Sequence, residues 1–326
     1  MNKVNQITLG VVMDPINHIK VHKDSTFAML LEAQRRCWRL RYLPPDSLFL
    51  QNGQVWARWQ EITVTDDPHH WFDVVDEAVG LLSDCDVILM RKDPPFDMEY
   101  IYTTYLLELA EQAGVLVVNK AESLRSANEK LFTAWFPQCC VPTLVTKSEL
   151  RIRQFLKENQ DIILKPLDRM GGASIFRLTL SDPNLSVILE EMTENGTKTI
   201  MAQQFIPEIE QGDKRILLID GEPVPYVLAR VPKKGETRGN LAVGGEAIGM
   251  PLSDRDRWIC EQLGGKLKSM GLMFVGIDVI GDYLTEINVT SPTCIRELDE
   301  IYSLNIAGIL LDAIDQRLSD NASQNS

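Results

Sequence analysis

The pattern of apolar and polar residues divides the chain into regions of different character. Continuous apolar runs predict three buried strands, at residues 7–13 (ITLGVVM), 87–91 (VILMR) and 115–118 (VLVV). Apolar residues at helical spacing predict one helix that starts at Asp24 or Ser25 and ends near Arg36, and another from Met98 to Gln112. Continuous apolar strands that alternate with helices are typical of parallel sheets, so we expect a mainly parallel sheet in the first third.

The remainder predicts a smaller α/β unit and then a β-rich region. A helix from Ser126 through NEKLFTAWF is expected to end at Pro137. The following elements are a helix at 147–158, strands at 161–165 and 174–180, strands through residue 230, a glycine-rich stretch at 233–249, and helices at 253–270 and 303–318. The polar residues 319–326 are expected to form a disordered tail.

The segment FVGIDVIGDYLTEIN, which begins at Phe274, predicts a β-hairpin with unusual polar positions. If the connection spans residues 281–283, Asp278 lies opposite Glu286, and Asn288 shares their face. A two-residue loop would put the carboxylates on opposite faces, because a shift of one residue reverses every side chain. These oxygens suit Mg²⁺ that also binds phosphates, although a solvated acidic strand explains the pattern equally well.

A lysine and two glycines predict a possible phosphate contact. Lys165 ends the strand DIILK, and Gly171 and Gly172 follow in PLDRMGGAS, where their N–H groups can approach a ligand. Lys130 can add a second positive charge. A glycine turn and a solvated lysine are the alternatives, and no Walker sequence is present.

The segment MAQQFIP at 201–207 could present Gln203, Phe205 and Ile206 to an adenine, although an edge strand that ends at proline is an equally good interpretation. Four charged residues follow in strands and in the glycine-rich stretch: Asp213, Arg215, Arg230 and Arg238. Arginine donates forked hydrogen bonds, so the three arginines suit carboxylate and acyl-phosphate oxygens.

Composition narrows the possible partners. The chain has 326 residues and a net charge of −13, which suggests two or three domains and argues against nucleic acid or an anionic membrane as partner. No signal-like or membrane-spanning apolar run is present. The six cysteines show no CxxC spacing, which fits a reducing cytosol, and Cys294 is interpreted as a buried thiol rather than a nucleophile.

The order of these features resembles that of ATP-grasp ligases, and longer strings resemble one family, prokaryotic glutathione synthetase. The strings are RKDPPFD (91–97), NEKLFTAWF (128–136), ILKPLD with MGG (163–172), GDKR (212–215), ETRGN (236–240) and TEINVTSPTCIRE (285–297). The resemblance extends from about residue 7 to 318. One departure is Arg169, where family members commonly have glycine, so the resemblance does not predict the conformation of this loop.

The resemblance implies an α/β protein with an ATP-grasp fold. Its expected units are a Rossmann-like domain at 1–125, a central lid subdomain at 126–200 and a C-terminal subdomain at 201–318, followed by the disordered tail. The implied reaction joins γ-glutamylcysteine to glycine with ATP, through an acyl phosphate. The family also implies Mg²⁺, with Mn²⁺ as a possible substitute, a cytoplasmic location and a homotetramer.

The resemblance also implies roles for individual residues. Expected ATP contacts are Lys130, Lys165, Gly171, Gly172, Gln203, Phe205, Ile206 and Asp213. Expected metal ligands are Asp278, Glu286 and Asn288, expected substrate contacts are Arg91, Ser291 and Thr293, and expected catalytic residues are Arg215, Arg230 and Arg238. Two alternatives stay open: an ATP-grasp ligase for another acid and amine, and a non-catalytic regulator that binds ATP.

Overall fold

The protein is described from a computed structural model, which describes residues 6–170, 173–232 and 246–324. Within these residues the strands form three sheets, of seven, four and six strands. None of the helices in this part of the chain is both long enough and apolar enough to cross a membrane.

The first sheet contains the predicted parallel strands. Its strands are β1 (Thr8–Val12), β2 (Arg39–Leu43), β3 (Leu48–Gln51), β4 (Gln54–Val64), β5 (Phe72–Leu81), β6 (Val87–Met90) and β7 (Leu116–Val118). Strands β2, β1, β6 and β7 are parallel, whereas β3, β4 and β5 form an antiparallel extension. The helices of this region are α1 (Ser25–Arg35), α2 (Met98–Gln112) and α3 (Ala121–Ser126). Asp24 caps α1 by accepting a 2.7 Å hydrogen bond from Phe27 N.

The second sheet is small and antiparallel. Its strands are β8 (Thr143–Thr146), β9 (Asp161–Pro166), β10 (Phe176–Thr179) and β11 (Ile200–Gln204), in the order β10-β9-β11-β8, and its helices are α4 (Glu149–Asn159) and α5 (Leu185–Thr193).

The predicted helix from Ser126 to Pro137 is wrong, because α3 ends at Ser126 and short 3₁₀ turns follow at Leu131–Trp135 and Pro137–Cys139. The side chain of Asn128 accepts hydrogen bonds from Lys130 N (3.2 Å) and Leu131 N (2.9 Å). Such side-chain bonds to nearby backbone compete with continuous helix.

The third sheet carries the predicted hairpin. Its strands are β12 (Asp213–Ile219), β13 (Glu222–Pro223), β14 (Tyr226–Val231), β15 (Glu246–Pro251), β16 (Phe274–Ile280) and β17 (Tyr283–Asn288), and its helices are α6 (Asp254–Ser269), α7 (Ile295–Tyr302) and α8 (Ile306–Gln324). The order is β15-β14-β12-β16-β17, with β13 beside β12.

The predicted disordered tail is helical as far as the structure describes it, because α8 continues to Gln324. Ser319 Oγ and Ser323 Oγ donate to the carbonyls of Asp315 (2.9 Å) and Ser319 (3.0 Å). These bonds satisfy the small polar side chains within the helix.

The first and third sheets share their hydrophobic core, whereas the second sheet has its own. Two clusters each combine residues of both large sheets, for example Ile88 with Ile277, and Leu89 with Phe274. The second sheet encloses a separate cluster around Leu164. Asn119, next to β7, joins the large sheets: its Nδ2 donates to Phe274 O and Val289 O (both 2.7 Å), and its Oδ1 accepts from Phe274 N (2.8 Å).

Candidate active site

A cavity of about 270 Å³ lies between the second and third sheets. Its lining includes many of the residues that the sequence singles out: Lys165, Gln203, Phe205, Ile206, Asp213, Arg215, Arg230, Asp278, Glu286, Asn288, Ser291 and Thr293. Residues from distant parts of the chain therefore meet at one concave site, which is the usual form of a small-molecule site.

The turn between β16 and β17 differs from the prediction. Ile280 pairs with Tyr283, so the connection consists of Gly281 and Asp282 alone, and the predicted three-residue connection is wrong. The two residues suit this tight turn, since Gly281 has a positive φ of 56°.

A β-bulge restores the predicted pairing of the carboxylates. The register shifts between Asp278 and Val279, so that Asp278 still pairs with Glu286 and Thr285 is the extra residue on β17. Thr285 Oγ1 donates to the backbone oxygen of Asp278 at 3.1 Å, which ties the bulge to the neighbouring strand. The bulge thus places Asp278, Glu286 and Asn288 on the cavity side despite the short turn.

Asp278 lies between two buried arginines. Arg215, its cross-strand neighbour on β12, donates from Nε to Oδ1 (2.6 Å) and from Nη2 to Oδ2 (3.1 Å). Arg230 Nη2 lies 2.9 Å from Asp278 Oδ2 and also pairs with Asp213. Asn288 Nδ2 donates to Asp278 Oδ2 at 3.3 Å. Two guanidinium groups therefore converge on one carboxylate at the wall of the cavity.

The charges of this cluster shift its pKa values in opposite directions. Burial alone would raise the pKa of Asp278, but Arg215 and Arg230 outweigh it and hold that pKa well below the usual range. Burial raises the pKa of Asp213 to about 6, because Arg230 only partly offsets the desolvation and Asp278 adds repulsion. Asp213 Oδ1 is buried and has no hydrogen-bond partner among the described residues, so it can accept a bond from a ligand.

Two lysines place positive charge beside the cluster. Lys165 Nζ donates to Gln203 Oε1 at 2.8 Å, and burial lowers the pKa of this lysine. Lys130 Nζ lies 2.8 Å from Glu286 Oε1 and also donates to Arg169 O. Lys130 stands before a 3₁₀ turn rather than early in a helix, so its position comes from the loop and not from helical spacing.

The second sheet and the segment after it contribute apolar side chains to the cavity. Gln203 and Gln204 end β11, and Phe205 and Ile206 follow at the cavity wall. The guanidinium of Arg177, which donates from Nε to Asp161 Oδ1 at 3.0 Å, lies 3.6 Å from the ring centroid of Phe205, within the range of a cation–π contact.

The cavity wall also includes the loop at 290–293. Ser291 and Thr293 line the cavity, whereas Arg91 is not among the lining residues. Arg91 donates from Nε to Thr26 Oγ1 (3.0 Å) and from Nη2 to Pro292 O (2.8 Å). The structure therefore places Arg91 behind this loop, where it holds the loop against the first domain.

Sequence reasoning missed several cavity residues, and Glu129 is the most notable. Glu129 Oε1 accepts hydrogen bonds from Val289 N (2.9 Å), Thr290 N (3.0 Å) and Thr290 Oγ1 (2.8 Å). The other missed lining residues include Asp93, Ile163, Met170, Ile175, Ile209 and Thr290. The position of Glu129 directly before Lys130 was the available signal.

Three predicted residues, Gly171, Gly172 and Arg238, lie outside the described residues, as does most of the glycine-rich stretch at 233–249. Their predicted roles therefore stay predictions.

Comparison with known proteins identifies related sequences over nearly the whole chain. The family model for the prokaryotic glutathione synthetase N-terminal domain matches residues 7–125, and the model for the ATP-grasp domain of the same family matches residues 129–303. The glutathione synthetase of Pseudomonas syringae pv. tomato is 60% identical over 96% of this chain and 98% of its own. That of Shewanella oneidensis is 57% identical over 96% and 99%, and that of Coxiella burnetii 55% over 93% and 94%.

Solved structures share the architecture at low sequence identity. A D-cycloserine synthetase has a TM-score of 0.65 at 15% identity and covers 95% of this chain and 99% of its own. The D-alanyl-alanine synthetase A of Vibrio cholerae has a TM-score of 0.61 at 11% identity, with 97% and 99% covered. At these identities the likeness shows the fold alone, which is the ATP-grasp fold.

Proposed function

Because the chain belongs to the prokaryotic glutathione synthetase family, we propose that it joins γ-glutamylcysteine to glycine with the hydrolysis of ATP to ADP and phosphate. The observation that carries this proposal is the cavity between the second and third sheets, whose lining combines apolar side chains, Lys165 and the paired arginines. Each of these features meets a need of the reaction: a base, a phosphate chain and a carboxylate must be held together.

The reaction requires two anions to approach each other. In the proposed sequence the cysteinyl carboxylate attacks the γ-phosphate to give an acyl phosphate and ADP, and the amine of glycine then displaces phosphate. Lys130 and Lys165 would offset the phosphate charge, and Arg215 and Arg230 would bind the carboxylate and later the tetrahedral oxyanion. Asp278 holds both arginines at the wall of the cavity, and they would exchange its carboxylate for that of the substrate.

The charges of the cavity lining support a divalent cation as a further component. The charged lining residues are acidic at Asp93, Glu129, Asp213, Asp278 and Glu286 and basic at Lys165, Arg215 and Arg230. Acidic groups thus outnumber basic ones among these described residues, and a triphosphate would add more negative charge. Asp278, Glu286 and Asn288 offer the hard oxygens that Mg²⁺ prefers, with Mn²⁺ as a possible substitute.

The described residues include no group of three His, Cys, Asp or Glu side chains that could hold a metal. The proposed site therefore depends on two carboxylates, the Asn288 amide and oxygens of the nucleotide. When bound, the ion would neutralise the β- and γ-phosphate oxygens. The protein's own contribution is to keep Asp278 ionised, which Arg215 and Arg230 achieve by lowering its pKa.

The proposal extends to roles elsewhere in the cavity. Gln203, Phe205 and Ile206 would contact adenine, and Ser291 and Thr293 would contact the peptide substrate. Arg91 would position the loop that carries Ser291, since it donates to Pro292 O, and its predicted contact with the peptide substrate stays a prediction. Gly171, Gly172 and Arg238 would approach the phosphates and the reacting carboxylate, as the family resemblance implies.

We extend the proposal to a cytoplasmic homotetramer, by family resemblance. All six cysteines have free thiols, which is compatible with a reducing compartment. Sedimentation equilibrium of the purified protein tests the tetramer; a monomer at all concentrations would contradict it.

Phosphate release from Mg·ATP tests the function directly. We expect turnover only when γ-glutamylcysteine and glycine are both present, with glutathione as the product. Turnover with a different acid and amine would keep the ligase chemistry and discard this substrate pair. Nucleotide binding without turnover on any pair would favour a regulator.

A further inference from the structure

Glu129 lines the cavity and is bonded to the protein through one carboxylate oxygen only. Its Oε1 accepts from Val289 N, Thr290 N and Thr290 Oγ1, at 2.9, 3.0 and 2.8 Å. Its backbone oxygen accepts from Ile287 N at 2.8 Å. Oε2 receives no hydrogen bond from any residue that the structure describes. The side chain is therefore fixed in orientation while one oxygen stays available to the cavity.

This carboxylate also lacks a cationic partner within the described ranges. The adjacent Lys130 pairs with Glu286 instead, and Arg91 donates to Thr26 and Pro292. Burial raises the pKa of Glu129, and repulsion from Glu286 adds to the effect. Glu129 is half-buried, and a carboxylate that has lost part of its hydration is normally paired, so a ligand that supplies positive charge would stabilise this one.

The location of Glu129 indicates which positive group fits. Glu129 binds the backbone of residues 289 and 290, directly after the proposed metal ligands Glu286 and Asn288. The amine that forms the new bond must lie beside the activated carboxylate, close to the phosphates. The ammonium group of γ-glutamylcysteine, by contrast, is at the far end of that molecule from the carboxylate that reacts.

We propose that Glu129 Oε2 binds the ammonium group of glycine and so positions the acceptor nitrogen, which gives up a proton to this carboxylate, forms the C–N bond to the acyl carbon and displaces phosphate. The inference rests on the proposed function and adds a residue to it. A charge-assisted hydrogen bond of this kind is worth about a tenfold change in affinity or more.

The variant Glu129→Gln separates this role from a structural one. The amide oxygen can still accept the bonds to Oε1, but an N–H group would replace Oε2 and repel an ammonium. We expect the KM for glycine to rise about tenfold or more, with the KM values for ATP and γ-glutamylcysteine within about twofold of the wild type. Glu111→Gln is the matched control, because Glu111 is also half-buried and accepts from a backbone N–H (Ala121, 3.2 Å) but lies outside the cavity lining.

Several results would overturn the inference. Three results would each show that Oε2 does not bind the glycine ammonium group. They are an unchanged KM for glycine, a rise in KM confined to γ-glutamylcysteine, and an increased requirement for Mg²⁺. If the wild type does not turn over these substrates at all, the proposed function itself fails, which the same assay reveals first.

A test on the wild type avoids any folding defect of the variant. Aminomethylphosphonate keeps the ammonium group of glycine, and glycolate replaces it with a hydroxyl. We expect aminomethylphosphonate to compete with glycine and glycolate to compete at least about tenfold less well. Equal inhibition by the two compounds would show that no ammonium contact exists.

Discussion

At the scale of single residues, the metal-binding role proposed for Asp278 makes two demands that usually conflict. A metal ligand must be ionised and available, yet its oxygens here bind Arg215 and Arg230. Asp278 is 3% exposed, so it cannot rely on water for its stability. The arginines keep it ionised, and a substrate carboxylate that engages them would free Asp278 for a cation. Anion and cation binding are therefore expected to favour each other.

The variant Asp278→Asn should lose both activity and stability. Removal of the negative charge leaves Arg215 and Arg230 as buried cations without their shared partner, which costs about 3 kcal/mol in free energy of unfolding. Urea denaturation measures the change, and phosphate release measures the activity. Asp282→Asn, in the exposed turn of the same hairpin, should leave both close to wild type; an equal loss there would show that the hairpin is merely fragile.

Gly276 leaves room for the arginine side chain. A methyl group at Gly276 would lie 2.9 Å from Cβ of Pro292 and 3.1 Å from Cδ of Arg215. We expect Gly276→Ala to lower kcat/KM for γ-glutamylcysteine about tenfold or more, because small displacements of positioned groups are costly. Steady-state kinetics test this.

Gly265→Ala is the matched control, since nothing lies within 4 Å of the added methyl group. Alanine also favours helix, so this change in α6 should raise the free energy of unfolding by about 1 kcal/mol without altering kcat/KM. Equal kinetic effects of the two changes would contradict the steric explanation.

Sequence reasoning at this scale works best where a residue type has one chemical use. Asp278, Glu286 and Asn288 stood out because hard oxygens in one hairpin suggest a cation. Glu129 did not stand out, because a glutamate next to a lysine occurs in many structural settings. Its position at the cavity becomes evident only from its hydrogen bonds to the backbone of Val289 and Thr290.

At the scale of elements, the predicted pairing of Asp278 with Glu286 in the β16–β17 hairpin is confirmed, although the predicted loop length is wrong. Alternation predicts that Asp278 faces Glu286 only with a connection of odd length. The structure has a two-residue turn and an extra residue, Thr285, which gives the same parity. The position of a bulge depends on local hydrogen bonds and core packing, which hydrophobic alternation does not encode.

The contact between α1 and α8 gives a prediction for pH. Arg36, directly after α1, bonds Glu32 at 2.8 Å and also pairs with Asp312 and Asp315 of α8. A hydrogen bond from Arg35, which outweighs desolvation, together with Arg36, lowers the pKa of Glu32 to about 2 from 4.5. Because the folded-state pKa is depressed, this stabilisation is full above about pH 4.5 and declines as the pH falls toward 2.

Glu32→Gln should therefore destabilise the protein at pH 5.5 and do so less at pH 3.5. Urea midpoints of wild type and variant at the two pH values test the expectation. Arg39→Gln is the control: it removes a surface ion pair with Glu61 and should shift the midpoints little. Gln34→Glu is unsuitable as a control, because Gln34 bonds the backbone of Val64. A gap between wild type and Glu32→Gln that widens at low pH would contradict this assignment.

At the scale of the whole molecule, the hydrophobic clusters do not correspond one to one with the three sheets. The first and third sheets share two clusters, whereas the second has its own around Leu164. Apolar runs in the sequence predict that strands form. They do not predict which strands share a core, because a contact between segments more than a hundred residues apart leaves no local pattern in a single sequence.

Two core truncations should reveal this division. Leu164→Ala and Ile277→Ala each remove a fully buried side chain, at a cost of about 2–5 kcal/mol. Hydrogen exchange followed by mass spectrometry should show faster exchange in the second sheet alone for Leu164→Ala, and in both large sheets for Ile277→Ala. Faster exchange in β1 or β16 on changing Leu164 would contradict the separation.

The bonds of Asn119 to Phe274 and Val289 have a consequence for recombination between relatives. In a chimera that takes residues 1–125 from one homologue and the rest from another, the side chain at position 119 comes from one parent. It must form its hydrogen bonds with backbone groups at positions 274 and 289 that come from the other parent. Exchange of the second sheet requires far fewer matched contacts. In an experiment that shuffles segments between homologues, functional hybrids should therefore arise from crossovers that flank residues 143–204 more often than from one placed between the two large sheets.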